Sequence, residues 1–96
     1  MKYFLFKLIP PRPTFPQDIT ESEGKLMQDH VAYWRGLADK RTALIFGPVL
    51  DPDGMYGIAI IETNDGTVVQ DIGKNDPAIK AEVGFRFESY SMPDPI

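Results

Sequence analysis

Two short segments of this chain are apolar on both of their faces. In "YFLFKLI" (3–9), Phe4, Phe6 and Leu8 alternate with Tyr3, Leu5 and Ile9, and Lys7 alone is polar. In "MYGIAIIE" (55–62), Tyr56, Ile58 and Ile60 oppose Met55, Ala59 and Ile61. Both are rich in aromatic and β-branched residues and read as strands. A strand with two apolar faces needs cover on both sides. A chain of 96 residues fits one domain, 1–96, and holds few further residues to provide that cover. This shortage constrains both the fold and the assembly.

The remaining elements follow in order. "PPRPTFPQ" carries Pro10, Pro11, Pro13 and Pro16, which remove backbone donors and hold the chain extended as a stiff loop. Three uses fit it: a connection, a lid over a nearby cleft, or a proline-rich ligand for an SH3-type module. In so small a domain the connection is the preferred reading. "TESE" forms a capping box, with Thr20 at the N-cap and Glu23 reaching back. The helix it starts runs over 21–39, with Leu26, His30, Tyr33 and Leu37 on one face and Met27, Trp34 and Ala38 widening the stripe. "RTALIFGPVL" is a strand interrupted or ended by Gly47-Pro48. "DPDG" is a turn, so this strand and the one at 55–62 make an antiparallel hairpin. "TVVQDIGKN" predicts a short helix built on Val68, Val69 and Ile72. "NDP" stops it, and Pro77 starts a further turn, "PAIKAE". "VGFRFESYSM" is the last strand, with Val83, Phe85 and Phe87 alternating. The order β-α-β-β-α-β predicts an α+β, ferredoxin-like fold: a four-stranded antiparallel sheet with two helices on one face.

Two helices cover only one face of such a sheet, and the strands are apolar on both. A bare apolar face exceeds what monomers expose. Two copies packed sheet to sheet would bury it, so a C2 homodimer is expected. Ten basic residues against fourteen acidic ones give a net charge of −4, which argues against nucleic acid as a partner. There is no cysteine, which removes disulfides and thiolate sites, and a single histidine rules out a histidine-rich metal site. No metal or cofactor is expected. "MKYFLFKLIPP" is broken by Lys7 and lacks a small-residue cleavage site, and no run is long enough to cross a membrane, so a cytoplasmic protein without membrane contact is expected.

His30 is the one histidine, and it sits on the apolar face of the long helix. A lone histidine among apolar neighbours is more often a hydrogen-bonded core residue than a catalyst. A partner would change that reading. Asp29 is adjacent in sequence and so lies on a different helix face. Asp76, at the end of the second helix, would lie beside the first helix in this fold. A carboxylate against one imidazole nitrogen would fix the tautomer and leave the other nitrogen as general base or acid. Asp76 also suits a purely local role in the "NDP" turn. Asp51 and Asp53 read as turn formers. Arg12 in the proline loop and Arg86 on the last strand could hold an anionic substrate or could be solvated surface. Tyr33 and Trp34 read as core or pocket wall.

A helix with "H..Y...L", a strand ending in "GPV", then "G.AIIE" and finally "DPAIKAEV" together resemble the YciI-like (YCII-related) proteins. The resemblance spans nearly all the chain after the proline loop, which is longer and richer in proline than the family's usual connection. It implies a ferredoxin-like dimeric α/β barrel, related to muconolactone isomerases and to small monooxygenases of antibiotic biosynthesis. It also implies a homodimer and an active site built on a helix histidine and the aspartate of the "DP" motif, His30 and Asp76 here. The function expected is a small cofactor-independent enzyme with a His/Asp acid–base pair acting on a small cyclic or aromatic organic molecule. The alternative is a non-catalytic ligand-binding or accessory homodimer in which His30 is a structural hydrogen-bonder.

Overall fold

The computed structural model describes residues 1–96. Its elements are β1 (Lys2–Ile9), α1 (Glu21–Asp39), β2 (Ala43–Val49), β3 (Tyr56–Thr63), α2 (Thr67–Asn75), the single turn α3 (Pro77–Lys80) and β4 (Arg86–Ser91). The strands form one antiparallel sheet in the order β2-β3-β1-β4. The two segments that are apolar on both faces are thus the two central strands. The ferredoxin-like arrangement read from the sequence is the one observed, with the helices on one face.

Register assigns the two sheet faces. Phe6 pairs with Ala59, Phe4 with Ile61 and Leu8 with Gly57, all on the helix side. Phe6, Leu8, Ala59 and Ile61 are buried there beneath Trp34, Val69 and Ile72. The opposite face carries Leu5 against Ile60 and Tyr90, and Lys7 against Ile58 and Glu88. Ile45 joins this face opposite Ile60 and is 61% exposed.

The capping box at Thr20 is present in full: its hydroxyl accepts from the Glu23 backbone, and the Glu23 carboxylate accepts from the Thr20 N–H. The buried face of α1 is the expected stripe, with its deepest point at Trp34 on the widened side. Trp34 is the fully buried residue of this helix, while Leu26, Tyr33 and Leu37 are half-buried. The indole is the largest apolar body on the helix, and the sheet centre is where it loses the most water contact.

Three local expectations change. First, β2 runs through Gly47-Pro48 to Val49. It is an edge strand, where the missing proline N–H has no ladder partner to lose. Second, β4 begins at Arg86 and not at Val83. Gly84 has φ +102°, and a Cβ there would come within 2.8 Å of Pro11, so the residues before β4 form a bend that only glycine fits. Third, the proline loop is folded and not extended. Turn bonds run from Phe15 N–H to Arg12 O, from Gln17 N–H to Thr14 O and from Ile19 N–H to Pro16 O. Phe15 is inserted into the core at 2% exposure, edge-on to Phe85. Burying one aromatic ring outweighs the extended preference of isolated prolines.

Candidate active site

Asp76 stands where α2 ends and α3 begins, as the C-cap of one and the N-cap of the other. Its extended backbone, at φ −60° and ψ 127°, followed by Pro77 at the first helical position, is the usual chemistry of a helix start. The side chain is completely buried. Oδ1 accepts from the Ala78 N–H at 2.9 Å, and Oδ2 accepts from the Trp34 indole N–H at 2.8 Å. His30 Nδ1 lies 3.0 and 2.9 Å from the two oxygens. The indole and the peptide N–H can only donate, so both oxygens act as acceptors. That fits a carboxylate whose burial is offset by three donors. The local role in the "NDP" turn and the role beside His30 are therefore both filled by the same side chain.

An acceptor-only carboxylate on Nδ1 dictates that Nδ1 carries the proton. In the neutral ring Nε2 then holds the free lone pair. Nε2 has no hydrogen-bond partner in the protein, and no buried side-chain polar atom lacks one, so Nε2 is open to its surroundings. His30 lines a cavity of about 320 Å³ between α1, the sheet and the proline loop. His30 and Trp34 form part of its wall, while Asp76 lies behind them. Phe6, Leu8 and Ala59 lie on the sheet side, and Phe15 and Pro16 of the folded loop border the cavity on another side. His30 is the only titratable side chain on the lining.

Of the sequence-selected residues, the structure brings together His30, Asp76 and Trp34. Tyr33 stays near but off the cavity: its hydroxyl donates to the Ile72 carbonyl at 2.7 Å and ties α1 to α2. Burial, and secondarily the Asp76 charge, raise the Tyr33 phenol above its ordinary value. Arg12 and Arg86 do not reach the cavity lining. The Arg12 guanidinium makes a two-pronged pair with Glu23, 2.7 Å on each prong, and binds Asp18 through Nε at 2.9 Å. It clamps the loop to the start of α1. Arg86 is an exposed residue 3.5 Å from Glu88. Asp51 and Asp53 serve the turn, where Asp51 accepts from the Asp53 N–H.

Sequence reasoning passed over the donor role of Trp34, the burial of Phe15 and the Ala78 N–H. The "DPA" start signal pointed to the last of these. The first two depend on which helix face meets the sheet and on how the loop folds.

A family model described as the YCII-related domain matches residues 1–92. The chain belongs to this family. Among solved structures, a similar fold occurs in 5-chloro-2-hydroxyhydroquinone dehydrochlorinase (TftG) from Burkholderia phenoliruptrix AC1100, in complex with 2,5-dihydroxybenzoquinone. That chain is 21% identical, with a TM-score of 0.61, and the match covers 92% of this chain and 91% of the other. At that identity the likeness concerns the fold. No curated protein sequence matches. No helix of this YCII-related chain is long and apolar enough to cross a membrane.

Proposed function

We propose that this YCII-related protein is a small, cofactor-independent enzyme in which His30 Nε2 moves a proton on a small cyclic organic substrate and Asp76 orients the ring. The observation that carries this reading is the 2.9 Å contact of His30 Nδ1 with a fully buried Asp76 at the wall of an apolar cavity. A base with a fixed tautomer in a water-poor site suits proton abstraction, isomerisation or elimination. Support of a coarser kind comes from TftG, which has this fold, is named a dehydrochlorinase and was captured with a quinone-type ring compound. The test has two stages. A thermal-shift screen of small cyclic metabolites identifies ligands, and turnover of these is then assayed with wild type and His30→Gln. Turnover should fall by about 100-fold or more, the usual scale of acid–base catalysis. Equal turnover by the variant refutes the role.

The working form is inferred to be a cytoplasmic homodimer. The sheet face away from the helices presents Leu5, Ile58, Ile60 and the exposed Ile45 and Tyr90. A second copy of the same face is the self-complementary cover. Light scattering at micromolar concentration should give twice the chain mass for wild type. Ile45→Glu should give a folded monomer. A wild-type monomer sinks the inference.

A further inference from the structure

The cavity offers a bound molecule almost no charge. His30 is its only titratable lining residue. With His30 neutral, the pair with Asp76 carries a net charge of −1; with His30 protonated, it carries zero. Neither state supplies a net positive charge. The nearby cations are engaged elsewhere: Arg12 with Asp18 and Glu23, Arg86 with Glu88, and Lys7 over the Tyr56 ring at 4.3 Å. An anion in the cavity would lose its water with no cation to replace it. A cation would face apolar walls, with both Asp76 oxygens behind His30 and already used by three donors.

A second observation concerns shape. Gly57 is the second residue of β3, paired with Leu8 on one side and Pro48 on the other, and lines the cavity. Glycine weakens a strand, so its presence there calls for a cause. The backbone supplies none, because Gly57 lies outside the left-handed region. Packing supplies none either: a Cβ would meet only Leu8 Cβ at 3.7 Å and the Gly47 carbonyl at 4.0 Å, both ordinary contacts. The remaining consequence of a bare Gly57 is open space in the cavity floor.

We infer that the cavity takes an uncharged, mainly apolar molecule carrying one hydrogen-bonding group, docked with that group on His30 Nε2, and that Gly57 keeps the floor open for it. This rests on, and sharpens, the reading of the cavity as a substrate site. A volume of about 320 Å³ is at the small end for ligand sites and suits a molecule of one or two rings.

The test measures binding by the full-length chain. Isothermal titration at pH 7 compares 2-naphthol, 2-naphthoate and 2-naphthylmethylamine, which share a ring system and differ in charge. The naphthol should bind at least about tenfold more tightly than either charged probe and should perturb the ring nitrogen signals of the single histidine. Gly57→Val should weaken naphthol binding by at least about tenfold while the melting temperature holds or rises, because the added Cβ meets only ordinary contacts and a β-branched residue suits a strand. If the valine variant does not fold, Gly57→Ala carries the same test with a smaller loss. A charged probe that matches the naphthol overturns the inference. So does failure of all three to bind, or a folded Gly57 variant that binds naphthol like wild type. Turnover by His30→Gln decides the catalytic reading separately, so a binding preference without catalysis would leave this inference standing and remove the other.

Discussion

Asp76→Asn removes a charge and changes one atom's chemistry at the centre of the site. Asp76 now offers two acceptor oxygens: Oδ1 to the Ala78 N–H at 2.9 Å and Oδ2 to the Trp34 indole N–H at 2.8 Å. Asparagine has one oxygen and one NH2 group. If its oxygen faces Ala78, the NH2 points at the indole, and a buried donor is orphaned. If it faces Trp34, the Ala78 N–H is orphaned and α3 loses its cap. Either way one buried N–H goes without a partner, which costs about 1–3 kcal/mol. The surviving bonds also become neutral–neutral and lose roughly 1 kcal/mol between them, partly offset because an amide is cheaper to bury than a carboxylate. The net destabilisation is about 2–3 kcal/mol, a large share of the roughly 5–15 kcal/mol that holds a typical domain. Urea unfolding measures it as a fall in midpoint at constant slope. The amide should also donate to His30 Nδ1 and so move the ring proton to Nε2, which heteronuclear NMR of the one histidine reports directly. A loss below about 0.5 kcal/mol with the His30 proton still on Nδ1 would refute the three-donor account.

Two further predictions concern the clamp on the proline loop and the helix glycines. The Arg12 guanidinium, followed by the Thr20 N–H, holds the Glu23 carboxyl at about 2, below its ordinary 4.5, so the clamp on the proline loop is complete above about 4.5 and is lost as the pH falls through about 2. Hydrogen-exchange protection factors for residues 12–19 should stay level from pH 7 to about 5 and decline toward pH 2, and Arg12→Met should lower them at pH 7. Protection at pH 7 that is unchanged in Arg12→Met means the clamp does not hold the loop. In α2, a Cβ at Gly73 is driven into the Phe87 ring of β4, so Gly73→Ala should cost about 1–3 kcal/mol despite the better helix propensity of alanine. Gly24→Ala in α1 meets nothing within 4 Å and should instead stabilise by about 0.5–1 kcal/mol. Thermal melts of the pair check both signs.

Much of this protein is decided by local pattern. The Thr20–Glu23 cap, the helices at 21–39 and 67–75, the "DPDG" turn and the alternating strands each depend on neighbours a few residues apart, and each forms as its spacing dictates. The order of those elements leads to the ferredoxin-like sheet, and the family motif singles out His30 and Asp76. Other features depend on partners distant in the chain. Within the stripe read from the spacing, Trp34 became the deepest residue of α1 because the depth of each position is set by packing against β1 and β3. The proline loop folded inward because Phe15 found Phe85 and Arg12 found Glu23, contacts that no local proline preference foretells. His30 and Asp76 stand 46 positions apart, and the chain between them had to be folded before one carboxylate could meet the imidazole, the indole and a helix start together. Residue type and spacing thus determined which groups were available and in what order. Tertiary packing alone decided which of them meet, because burial and hydrogen-bond satisfaction are properties of the whole chain.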